Sequence, residues 1–183
     1  MGTQHHVPWP GWTPQKTLIL PIAPEVWPPP VETLVVDGLT FLPARELHVT
    51  LVGRWLGPAL QSEPVRRQAV RDAFMRLDWG FTRSGELLRL EKHELPGGGG
   101  HWRAIGSIIE RIEMPAMAAF YEELAVLLGR RLSIPPPHVT LYTTGRSQGI
   151  AVPDVATLQR LTVHEVQVPG STPTNLHPLR TPH

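Results

Sequence analysis

Glu46-Leu47-His48-Val49-Thr50-Leu51-Val52-Gly53 and Pro137-His138-Val139-Thr140-Leu141-Tyr142 share the tetrapeptide His-Val-Thr-Leu, roughly half the chain apart. Successive side chains of a β-strand face opposite ways, so His48 and Thr50 take one face while Val49 and Leu51 take the other, and the second copy repeats this. Each copy is thus a polar pair on an apolar-backed strand. Two copies, one in each half, predict a duplicated unit whose His/Thr pairs face each other across a groove.

Outward from these strands, proline sets the boundaries. The 21 prolines cluster near the start, at Pro28 to Pro30, at Pro135 to Pro137 and at the end, and proline stops helices and is excluded from central strands. Residues 1–15 and 169–183 read as arms flanking one catalytic domain over 16–168. Within it, Thr17 to Ile22, residues 34–42 and Leu47 to Val52 read as strands or extended chain. Residues 64–77 then read as a helix, with Val65, Ala69, Ala73 and Leu77 recurring every four positions beside Val70 and Phe74. Leu87 to Lys92 and Trp102 to Ile109 read as strands joined through Gly97 to Gly100. Pro115 opens a second helix with a stripe of Met117, Phe120, Leu124, Leu127 and Leu128, and Gly129 stops it. A short helix near 154–161 and a strand Thr162 to Val168 follow the second motif. Helices are too sparse for a doubly wound parallel sheet, so the pattern predicts an α+β fold. Each half supplies a motif strand and a long helix, which predicts two similar lobes.

The chain has 183 residues, 41% hydrophobic and 18% charged, with a net charge of +1 and no cysteine. That is enough for a proper core. The charge balance argues against nucleic-acid binding by bulk charge, so an acidic ligand must be held locally. Lack of cysteine excludes disulfides, zinc ribbons and a thiol nucleophile. No apolar run reaches about 18 residues and no leader pattern opens the chain, which predicts a soluble, cytoplasmic protein without a membrane partner. Nothing in the sequence calls for an obligate protein partner, and a monomer is expected.

Histidine titrates near pH 6.5, so of two opposed imidazoles one can accept a proton while the other donates one. Phosphodiester hydrolysis needs both transfers, because the attacking oxygen loses a proton and the leaving ribose oxygen gains one. A threonine hydroxyl two residues along can donate to a non-bridging phosphoryl oxygen. This chemistry requires neither metal nor cofactor. A zinc site is the weaker reading, since neither motif histidine has a second ligand at the usual spacing.

At these residues the chain resembles the two-histidine phosphoesterase superfamily, whose defining feature is two His-x-Thr/Ser motifs each followed by an apolar residue. The resemblance spans roughly residues 16–168. Its members include bacterial RNA 2′,3′-cyclic phosphodiesterases, once described as 2′-5′ RNA ligases, plant and yeast cyclic phosphodiesterases, and enzymes acting on 2′-5′ or cyclic oligonucleotides. Carried over by position, it implies catalytic roles for His48, Thr50, His138 and Thr140 and a nucleotide or RNA-end substrate. It also implies a bilobal α+β fold with pseudo-two-fold symmetry, two antiparallel sheets around a central cleft and helices outside. In the bacterial RNA group the second motif commonly runs on to an arginine, whereas here it continues Tyr142-Thr143-Thr144. His-Val-Thr-Leu-Val-Gly and the aromatic after the second motif look closer to the plant type.

Three further residues are candidates for binding substrate. By strand alternation Tyr142 falls on the face of His138 and Thr140, where it could stack on a base. Trp102 and Arg103 stand at a strand start beside the glycine loop. The arginines of the 64–77 helix read as a solvated face. Trp9 and Trp12 read as anchors of the N-terminal arm on the core.

Overall fold

The computed structural model describes residues 7–95 and 99–167. The first six residues, residues 96–98 with Gly97 and Gly98 of the glycine loop, and residues 168–183, which include the expected strand end Val168 and the tail, lie outside them. Strands β1 (Leu18–Ile22), β2 (Leu34–Val36), β3 (Leu39–Pro43) and β4 (Leu47–Val52) come first. Helices α1 (Gly57–Gln61) and α2 (Pro64–Met75) follow, then the long strands β5 (Thr82–Glu94) and β6 (Arg103–Glu113). Helix α3 (Ala116–Leu128), strand β7 (His138–Thr144), helix α4 (Val155–Leu161) and strand β8 (Thr162–Val166) complete the order. The class is mixed α+β, as the pattern predicts.

All strand pairings are antiparallel, and the order β1-β4-β7-β6-β5-β8 forms one open sheet of eight strands, with β2 and β3 attached through β7. The expectation of two separate sheets is corrected here: β7 bridges the halves. One edge of β7 pairs with β6, while the other meets β4 at Val139 and β3 at Tyr142 and Thr143. Alternation predicts faces; it says nothing about which strands become neighbours.

The main core lies on one face, where Val49, Leu51, Val139 and Leu141 pack with Leu60 of α1, Val70, Ala73 and Phe74 of α2, and Met117, Phe120, Tyr121 and Leu124 of α3. Phe74 stacks on Trp79 with centroids 4.9 Å apart, and Trp79 meets Phe120 edge-on at 5.3 Å. Truncating either phenylalanine to alanine would cost about 3–5 kcal/mol. The two long helices therefore share one core, rather than each covering its own half. The stripe of α2 is also shifted from its expected position. Val70, Ala73 and Phe74 are buried, whereas Val65 is 80% exposed in the first turn, where no element covers it. α3 ends as its sequence predicts, on Gly129 in the left-handed region at φ 63°.

A smaller core forms on the opposite face from Leu88, Leu90, Ile105, Ile109, Ile150, Val152 and Leu158. Asp154 caps α4 by accepting from the Thr157 amide at 2.6 Å. Trp9 packs edge-on against Phe74 at 5.2 Å, and Trp12 bridges to Leu18, so the end of the arm is anchored on the core. No helix among the described residues is long and apolar enough to cross a membrane.

Candidate active site

The two motifs lie on neighbouring strands. Val49 is the register partner of Val139, and antiparallel counting from that rung sets His48 against Thr140 and Thr50 against His138. Burial alternates as the sequence predicts: Val49, Leu51, Val139 and Leu141 are buried, and the four polar residues are half-buried. The imidazoles are diagonal neighbours, whose backbone positions at this register stand about 7–8 Å apart.

Each motif ends in a β-bulge at its leucine. Leu18 pairs with Val52 but Ile19 with Thr50, leaving Leu51 unpaired; likewise Ile108 pairs with Tyr142 but Ile109 with Thr140, leaving Leu141 unpaired. An extra residue resets the alternation. Val52 and Tyr142 consequently turn toward the main core, where Val52 is fully buried and Tyr142 packs against the cluster. The expectation that Tyr142 shares a face with His138 and Thr140 is thus corrected. Both stranded carbonyls have donors: the Tyr121 hydroxyl donates to Leu51 O at 2.8 Å, and the Ala44 amide donates to Leu141 O at 2.8 Å. Burial holds the Tyr121 hydroxyl well above the ordinary tyrosine range.

The imidazoles differ in their surroundings. His138 Nδ1 lies 2.8 Å from the Pro136 carbonyl, which can only accept, so Nδ1 carries the proton and neutral Nε2 keeps its lone pair. Burial pushes the pKa of His138 below the usual histidine value; the Pro136 hydrogen bond opposes this, and the nearby charge of His48 adds to it. His48 is also lowered by burial, with Glu46 opposing. Lowered pKa values make both rings favour the neutral form at neutral pH. An anionic phosphate between them would raise both.

A loop closes the Thr140 side. Gly149 lies against this residue, since a Cβ there would come within 2.7 Å of Thr140 Oγ1. Arg146 holds the loop, donating to Gln148 O at 3.1 Å and Gly149 O at 2.9 Å and bridging to Glu94 at 3.2 Å. The Ile150 amide donates to the buried Ser107 hydroxyl at 3.1 Å.

Arg103 does not reach the imidazoles. It stands six residues from Ile109 along β6, about 20 Å of strand, and bridges to Glu94 at 3.1 Å. Its link to Thr140 runs indirectly through Glu94, Arg146 and Gly149. Trp102 is 68% exposed, just outside β6. The structure thus assembles the four motif residues and leaves Tyr142, Trp102 and Arg103 outside their immediate surroundings.

Beyond the Thr50 end lies a recess of about 240 Å³ lined by Trp55, Tyr121, Arg130, Arg131, Ser133 and Asp154 among others. The sequence signal for it was Gly53-Arg54-Trp55, an aromatic placed just past the motif strand. No family model, curated protein or solved structure matches this chain.

Proposed function

We propose that this protein is a phosphodiesterase acting without a metal on a 2′,3′-cyclic phosphate, at a nucleotide or RNA end, or on a related ribose cyclic phosphodiester. The observation that carries the reading is the Val49–Val139 register, which sets two His/Thr pairs on one polar face of neighbouring strands. His138 Nε2 takes a proton from water, whose oxygen attacks phosphorus. The bond from phosphorus to O3′ breaks, and His48 protonates that oxygen, leaving a 2′-phosphate. Thr50 and Thr140 donate to the non-bridging oxygens, where charge develops. The Pro136 hydrogen bond supports the base role of His138, because it fixes the tautomer with Nε2 free.

The resemblance to two-histidine phosphoesterases supports the same chemistry. The bilobal, pseudo-two-fold reading rests on the matching halves: β4 beside β1 and β7 beside β6, each motif strand bulged at the equivalent leucine. A 2′-5′ RNA ligase or oligonucleotide phosphodiesterase would use the same four residues on an open diester. A pure nucleotide-binding groove would not need an acid and base pair.

The test is a panel of nucleoside 2′,3′-cyclic phosphates, cyclic-phosphate-ended RNA, ADP-ribose cyclic phosphate and 2′-5′ oligomers, with products resolved by chromatography. Turnover of a cyclic phosphate to a 2′-phosphate, unchanged in a strong chelator, is expected. Loss on chelation with recovery on adding zinc or manganese would overturn the metal-free reading.

A further inference from the structure

The recess is distinct from the four motif residues, none of which lines it; it lies past the end of β4 and beside the segment that leads into β7, with Leu56, Tyr121 and Leu132 of the main-core side in its lining. Gly53, the first residue after β4, carries no Cβ, and its carbonyl accepts from the Leu56 and Gly57 amides as the chain turns. A Cβ there would fall 1.8 Å from the Trp55 ring. The indole therefore lies against the bare Gly53 backbone, three residues beyond Thr50, and Trp55 is 43% exposed.

Arg130 and Arg131 also line the recess, and both are exposed. Among the described residues, neither side chain forms an ion pair or hydrogen bond with the protein. The remaining charge in the lining, Asp154, accepts from the Thr157 amide and is held below the usual carboxylate range by that bond. Two free guanidinium groups against one engaged carboxylate leave the recess with an excess positive charge. Ser133 adds a hydroxyl.

An exposed indole beside unpaired guanidinium groups suits a nucleic-acid single strand: every base has a face to stack, and every linkage carries a phosphate. The size agrees. At about 240 Å³ the recess falls below the roughly 300–1,000 Å³ of pockets that enclose a whole ligand, so it suits a segment of a longer chain. The sequence also ties it to the site, since Trp55 follows Thr50 by five residues and Ser133 precedes His138 by five. Five extended residues reach at most about 18 Å.

We propose that this recess is a second subsite for the nucleotide next to the reacting one, with its base on Trp55 and its phosphate on Arg130 and Arg131, making the preferred substrate the end of an RNA strand. The proposal rests on the cyclic phosphodiesterase reading above and narrows its substrate class.

The experiment compares kcat/KM on ribonucleotides of one, two and three residues, each ending in a 2′,3′-cyclic phosphate. Efficiency should rise from one residue to three. Trp55→Ala should remove roughly 5- to 150-fold from the trinucleotide and collapse that rise. The Arg130→Ala/Arg131→Ala double variant should make the salt dependence shallower, by about 0.7 in log–log slope for each phosphate no longer neutralised. Arg71→Ala, on an exposed face of α2, should keep the rise. Equal efficiency on one and three residues, or a Trp55→Ala loss of the same factor on both, would overturn the subsite. Absence of turnover on every cyclic phosphate would instead overturn the activity reading. The subsite is then judged by fluorescence anisotropy with a labelled triribonucleotide 2′-phosphate: weaker binding by Trp55→Ala supports it, and unchanged or absent binding removes it.

Discussion

Gly149 presses its bare α-carbon side against Thr140, leaving no room for a methyl group: a Cβ would sit 2.7 Å from Oγ1 and 3.3 Å from Cγ2. The loop held by Arg146 thus sets where the Thr140 hydroxyl points. Gly149→Ala should lower turnover by displacing that hydroxyl, with little loss of thermal stability because the loop is at the surface. Kinetics and a melting curve on the same preparation check it; full activity would show that the loop does not position Thr140.

His48→Ala and His138→Ala should each lose on the order of 10²- to 10⁴-fold in turnover while remaining folded, since each removes a proton-transfer partner. The double variant should be little worse than the poorer single variant, because the two act as a unit. Near-normal turnover in either single variant would defeat the assignment. Circular dichroism guards against a folding defect.

At the threonines, alanine should reduce turnover and serine should largely preserve it, because the hydroxyl is the working group. Thr50 and Thr140 are best compared in parallel, four variants in one assay. Equal rates for alanine and serine at both sites would make them strand fillers.

The pH profile should carry the mark of burial. Both imidazoles are lowered from the usual value, so the bell in kcat/KM should centre below about pH 6.5. The limbs belong to the pair, not to either ring. In kcat, bound phosphate should move the bell upward. A rate that climbs steadily with pH would contradict paired acid and base catalysis.

Stability should follow the same groups. The folded pKa values lie below the unfolded one near 6.5, so the unfolded chain binds protons more readily as the medium acidifies. Their contribution is complete above pH 6.5 and is lost as pH falls toward the folded values. His164 has the opposite sign: its bonds to Glu165 O and Asp37 raise it, so its small, exposed contribution is present below the unfolded pKa and lost as pH rises through the folded value. The urea midpoint should fall less between pH 7.5 and 5.5 in His48→Gln/His138→Gln than in the parent. An identical slope would show that the pair is not linked to folding.

Much of this arrangement was legible in the chain. Leu47 to Val52 is a strand with the predicted bounds, Met117, Phe120 and Leu124 of the α3 stripe are buried with Leu127 and Leu128 half-buried beside them, and Gly129 ends the helix, because each depends on local periodicity or backbone freedom. The hairpin of β2 and β3 was visible only as extended chain, although Asp37 and Gly38 adopt the positive φ values of its turn. α1 is too short to show a period. Tyr142 illustrates the harder limit. Its face depends on an extra residue opposite Ile108 and Ile109, a register fact carried by another strand. The union of the halves through Val49 and Val139 was likewise out of reach, since alternation along one strand does not choose its neighbour.

The paired bulges bear on how this chain can tolerate change. Residues up to each bulged leucine answer to the groove, and residues just past it answer to the core. In a saturation library, positions 52 and 142 should accept apolar replacements and reject charged ones, as interior sites do, although they lie two residues from a motif threonine. Position 53 should accept a larger residue only where the Trp55 ring is displaced from its place. Under the proposed activity, the chemistry is thereby confined to the His-Val-Thr stretch of each strand, and selection for a new substrate would have to act on the loops around it.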